Sequence, residues 1–175
     1  MTYLLSTITG IVSGLISSVL IFGFWQIQKP RLEISKDIAK NSKGEFRVKI
    51  VNKTSRYISN VIIRLQVVKR TNGHNGDVYN TYNLQLPYSE IMLINPRKDT
   101  KKNTDYAIRF VLPKDLEKHW VDDTHTSLKL IIHCSNEFNT ASKTYEQYYH
   151  RKSTIKNGEF VCGDSMRILE ETTTE

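Results

Sequence analysis

The first 28 residues contain no charged side chain, and the run ends abruptly at Lys29-Pro30-Arg31. Nothing else in the chain restricts its fold as strongly. A bilayer core needs about 20 apolar residues in a helix, and Leu4 to Ile27 supplies them, with Leu, Ile, Val and Phe outnumbering Ser and Thr. At about 1.5 Å per residue such a helix reaches roughly 36 Å, so it crosses with some tilt. Trp25 lies near the charged end, where an indole favours the membrane interface. A secretory signal requires a basic start, a shorter apolar run and a small-residue cleavage site. Met1-Thr2-Tyr3 offers no basic side chain, and the exit is Phe24-Trp25-Gln26-Ile27. The reading is therefore a retained transmembrane helix over 1–28, in preference to a cleaved signal or a buried soluble helix.

Positive charge sets the expected orientation. Lys29, Arg31, Lys36 and Lys40 follow the span and no basic side chain precedes it. The positive-inside rule then puts the N-terminus outside the cell membrane and residues 29–168 in the cytoplasm. On that reading the glycosylation sequon Asn52-Lys53-Thr54 is a chance match. Within the span, Ser6, Gly10, Gly14 and Ser18 recur every four residues and include a literal G-x-x-x-G. Small residues in a stripe let helix backbones approach closely, which predicts self-association and a homo-oligomer. Lys29 and Arg31, just past a cytoplasmic exit, are expected to meet anionic head groups of membrane lipid.

After Pro30 the pattern becomes alternating. Leu32, Ile34 and Ile38 begin it, and Phe46, Val48 and Ile50 alternate with Arg47, Lys49 and Val51 as a half-buried strand. Val61, Ile63, Leu65 and Val67 make a longer one. The hexapeptide Thr71 to Gly76 (TNGHNG) predicts a turn. Further strands are expected around Val78 to Leu86, Tyr88 to Ile94, Tyr106 to Phe110, Leu128 to Ile132 and Tyr145 to Tyr149, with Phe160 and Cys162 finishing the sheet. Pro113 to Trp120 suits a short helix. Many short strands with one small helix predict an all-β fold, a β-sandwich, followed by a disordered tail over 169–175.

Every charged side chain lies beyond the span, so the net charge of +7 belongs to the β part. A basic domain suits anionic partners, and Arg97, Lys98, Lys101, Lys102, Arg151 and Lys152 form the candidate anion or partner patch. Tyr145, Tyr148 and Tyr149 are read as core and rim packing, so nucleic acid is not expected as a partner. The five histidines are scattered, no nucleophile elbow occurs, and Cys134 and Cys162 are read as free thiols. Neither catalysis, metal nor cofactor is expected.

The segment "KPRLEISKDIAKNSKGEFRVKIVNKTSRYISNVIIRLQVVKR" resembles the start of the cytoplasmic domain of inward-rectifier potassium channels, where the inner helix exits through a basic-Pro-basic step. "DYAIRFVLPKDLEK" resembles that domain's strand leading into a short helix, and "LKLIIHCSNEFNTASKTYEQYYHRKSTIKNGEF" its closing strand pair. The resemblance implies an immunoglobulin-like β-sandwich, lipid contact at Lys29 and Arg31, and subunits around an axis. The chain departs from that family in having one span and no Thr-x-Gly-Tyr-Gly or Gly-Phe-Gly filter, so it is not expected to conduct potassium by itself. The expected function is a single-pass, membrane-anchored binding or sensing module. Its rivals are a ligand-triggered membrane-permeabilising effector and an accessory subunit to a channel or other membrane-protein partner.

Overall fold

The structure, a computed structural model, describes residues 2–27, 29–97, 104–136 and 141–170. Thr2–Ile27 is one helix, α1. Its stretch Ser6–Ile27 is long and apolar enough to cross a membrane, and none of it is buried against the rest of the protein. Leu20, Phe22 and Trp25 all stand exposed. A helix apolar all round and left uncovered is stable in lipid rather than in water.

The chain then builds short strands, β1 (Leu32–Ile34) and β2 (Ile38–Lys40), before β3 (Phe46–Asn52) and the 16-residue β4 (Ile58–Gly73). Next come β5 (Gly76–Leu84), β6 (Glu90–Ile94), β7 (Ala107–Val111), the four-residue α2 (Leu116–His119), β8 (Thr126–Asn136) and β9 (Ser142–Tyr149). β10 (Ile155–Asn157), β11 (Glu159–Phe160) and β12 (Ile168–Leu169) close the sequence. Residues 171–175 of the expected tail lie outside the described residues.

Two five-stranded sheets result. In the first, β3 is central: β1 and β2 pair with it antiparallel, as does β7 in the register Val48↔Phe110, and β10 runs parallel to β2. In the second, β4 lies between β8 on one side and β5 with β6 on the other, while β9 pairs with β8. Both sheets feed one hydrophobic core, with Phe46, Val48, Ile50 and Phe110 from the first and Val61, Ile63, Leu65, Val67, Leu128 and Leu130 from the second. Leu116 of α2 and Trp120 just after it join the same core. Each such side chain contributes roughly 1.5–3 kcal/mol on leaving water.

Three local expectations are corrected. β3 is not half-buried, because Lys49 and Val51 are covered as well as the alternating apolar set. The cover comes from the segment around Val161 to Ser165, whose carbonyls accept hydrogen bonds from Lys49 Nζ at 2.6 and 2.7 Å. Burial holds the Lys49 ammonium below its ordinary pKa. The hexapeptide Thr71 to Gly76 is mostly strand: β4 runs on to Gly73, and β5 begins at Gly76, whose φ of 127° takes the turn conformation that glycine allows. Phe160 and Cys162 do not extend either large sheet; β11 pairs with β12 instead. Gly158 permits that closure, since at φ 128° an added Cβ would lie 1.9 Å from the Leu169 carbonyl oxygen.

β9 ties the sheets together through two tyrosines on one face. Tyr149 is fully buried and donates to the Ser35 carbonyl at 2.8 Å. Tyr145 donates to the Pro30 carbonyl at 2.5 Å and accepts from the Leu32 amide at 3.0 Å. The segment joining α1 to the β domain is thereby hydrogen-bonded to the second sheet.

Candidate functional site

Proline at position 30 cannot continue a helix, and it disfavours helical backbone in the residue before it. The chain therefore leaves α1 here, and the Tyr145 hydroxyl fixes the backbone just after it, bonding the Pro30 carbonyl and the Leu32 amide on either side of Arg31. Register brings a second basic segment alongside, because Leu32 lies opposite Asn52. Lys53 also donates its backbone N–H to the Arg31 carbonyl at 2.8 Å.

Asn52 shapes that second segment. It is fully buried; its Nδ2 donates to the carbonyls of Arg56 (2.8 Å) and Asn95 (2.9 Å). Its Oδ1 accepts from the Thr54 amide at 2.8 Å and the Thr54 hydroxyl at 2.7 Å. This is the Asx-type turn for which Asn is favoured. The Asn-x-Thr sequence thus has a structural role, with an amide that no glycosyl transferase could reach in the folded domain.

The two segments and the end of α1 enclose a recess of about 280 Å3, lined by Ile27, Lys29, Arg31, Lys53, Arg56 and Asn136 among others, and by no carboxylate. Lys53 is partly neutralised by Glu33 at 2.6 Å, with Asp164 at 4.0 Å. Among the described residues, Lys29, Arg31 and Arg56 have no carboxylate partner. The recess can hold an anion, and its place beside an apolar helix suits one attached to an acyl chain.

The other expected site residues are placed apart from it. Gly10 and Gly14 face open space, and the hydroxyls of Ser6 and Ser18 bond to the carbonyls of Tyr3 (2.9 Å) and Gly14 (2.8 Å). The small stripe is therefore uncovered, with its polar groups satisfied inside the helix. Arg97 is ion-paired with Asp164 and donates its amide to the Thr54 carbonyl, near the recess. Lys98, Lys101 and Lys102 lie outside the described residues. Arg151 follows the far end of β9, and Lys152 turns to α2, donating Nζ to the Glu117 carbonyl at 3.0 Å. Arg97 and Arg151 thus sit toward opposite ends of the second sheet and do not form one patch.

The recess joins Lys29 and Arg31, singled out by their position in the sequence, with Lys53 and Arg56, which the sequence alone does not single out. The available signal was the Asn-x-Thr turn followed by an arginine. What it lacked was the β1–β3 register. Among the described residues, no group of three or more His, Cys, Asp or Glu could hold a metal ion. His133 bonds through Nδ1 to the Thr144 hydroxyl at 3.0 Å. Both cysteines are free: Cys162 is exposed, 3.1 Å from the Arg109 guanidinium, while burial pushes the Cys134 thiol up to about 12. Comparison with known proteins finds no matching family model and no matching curated protein.

Proposed function

We propose that this chain is a single-pass, membrane-anchored binding module whose β domain, a sandwich of immunoglobulin-like kind, faces the cytoplasm and reads anionic lipid beside its anchor. The observation that carries this reading is the recess itself. Three unneutralised cations and no carboxylate line it at the point where an uncovered apolar helix meets the folded domain. A basic side chain near an anionic membrane surface contributes about 1 kcal/mol, so the three together favour an anionic over a zwitterionic head group. The test is local enrichment of anionic lipid around the helix end, with its loss when the three charges are removed.

Self-association through Ser6, Gly10, Gly14 and Ser18 belongs to the same reading, supported by the open space around both glycines. That uncovered stripe also supports the second reading, in which clustering of the helices permeabilises the membrane. Ion leakage from vesicles carrying the protein at rising density separates the two: the binding module leaves them sealed.

A further inference from the structure

The second sheet carries another recess at its opposite end. Arg70 lies twelve residues beyond Ile58 along β4, a separation of roughly 40 Å at the usual strand rise. A lipid held beside the end of α1 does not reach that far, so a ligand there is a separate molecule. The volume is about 440 Å3, within the roughly 300–1,000 Å3 of small-molecule sites.

Its lining combines two chemistries. Arg70, His125, His150 and Arg151 supply nitrogen donors, and no carboxylate lines the recess. Arg70 is held by Asp77 at 2.6 Å, which fixes its guanidinium and leaves further donors of the fork for another acceptor. Arg151 has no carboxylate partner among the described residues. The acids of the adjoining loop are engaged elsewhere: Asp122 accepts from the Lys152 amide at 3.0 Å and Asp123 from the His125 amide at 2.9 Å. The second chemistry is aromatic. Tyr79 stands on β5 opposite Arg70, and across the sheet the rings of Tyr148 and His150 lie parallel, 6.0 Å apart. Lys129 Nζ sits 5.2 Å from the centre of the Tyr148 ring. Cationic forks suit phosphate, and flat aromatic faces suit a planar heterocycle.

We propose that this recess binds a free nucleotide, with its base against the Tyr148–His150 pair and its phosphate between Arg70 and Arg151. Free nucleotides are cytoplasmic, so the assignment rests on the orientation proposed above. The sandwich would then carry two anion sites at opposite ends, one for lipid and one for a soluble ligand.

The full-length protein in nanodiscs of neutral phosphatidylcholine, titrated calorimetrically with AMP, GMP, CMP and UMP, tests this. Adenosine and inorganic phosphate serve as separate fragments. At least one nucleotide should bind saturably, and AMP, if it is the binder, about tenfold or more tighter than either fragment. Arg151→Gln and Tyr148→Leu, both at solvent-accessible positions, should each weaken binding by about tenfold without moving the melting temperature. Failure of all four to bind at millimolar concentration would overturn the proposal. So would phosphate alone binding as tightly as the nucleotides, or variants that bind like the parent protein. Calorimetry in nanodiscs does not depend on cellular orientation, whereas thiol labelling of intact cells does, so the two failures are distinguishable.

Discussion

Replacing Lys29, Arg31 and Arg56 together with glutamine should abolish the preference for anionic lipid at the helix end. Lys53 is left in place because Glu33, at 2.6 Å, already offsets its charge. Three side chains at about 1 kcal/mol each give roughly 3 kcal/mol, on the order of a hundredfold in local lipid association at about 1.4 kcal/mol per decade. Trp25, exposed near the end of α1, is a built-in reporter, while the other tryptophan, Trp120, is buried in the core. Energy transfer to dansyl-labelled phosphatidylserine, compared with dansyl-labelled phosphatidylcholine in nanodiscs, measures the enrichment. The parent protein should enrich the anionic lipid, and most of that preference should vanish as salt rises from 0.1 to 1 M and the screening length falls from about 10 to about 3 Å. The triple variant should show no preference at either salt. A triple variant that still enriches phosphatidylserine would refute the reasoning. So would an equal loss on replacing three exposed lysines elsewhere, Lys43, Lys69 and Lys118, because net charge rather than the recess would then be responsible.

Gly14→Leu should weaken self-association in a bilayer, read by energy transfer between labelled copies, since a branched side chain prevents close backbone approach. Gly23→Leu, nine residues on and about half a turn round the helix, should leave it unchanged. Tyr145→Phe removes the hydroxyl bonded to Pro30 and Leu32; it should cost about 1 kcal/mol and speed hydrogen exchange at the Leu32 amide. Alkaline stability should report Cys134. Its folded pKa, about 12, exceeds the thiol's ordinary value of 9.0, so the unfolded chain loses its proton first, and stability falls as pH rises from 9 towards 12. Cys134→Val should melt with a shallower decline over that window; an identical pH profile would count against a buried thiol.

The parts of this fold that were legible in the sequence are those whose pattern is local. The uncharged run before Lys29 is read correctly as a helix able to span a membrane, and Val61, Ile63, Leu65 and Val67 announce β4 because burial alternates with the side-chain period. Lys49 shows why alternation fails elsewhere. It reads as the solvent face of β3, but its cover arrives from more than a hundred residues downstream, and no local signal specifies that contact. Three-residue β10 likewise depends on a parallel pairing with the distant β2. The recess follows the same rule. Lys29 and Arg31 are conspicuous by position, whereas Lys53 and Arg56 join them only through the pairing of β1 with β3 and the turn organised by Asn52. The hairpin of β4 and β5 is longer than its turn-forming residues at 71–76 suggest, because Thr71, Asn72 and Gly73 extend a ladder that cross-strand pairing sustains.

The chain's own thiols offer the most direct check on the central claim, an apolar helix kept in the bilayer with the β domain on the cytoplasmic side. Cys162 is exposed and free, while Cys134 is buried with a thiol that stays protonated at neutral pH, so a maleimide reports one site. A membrane-impermeant maleimide should leave intact cells unlabelled, modify Cys162 once they are permeabilised, and add its mass to a membrane-bound chain that still carries residues 1–28. Labelling in intact cells, or a soluble product lacking those residues, would contradict the account.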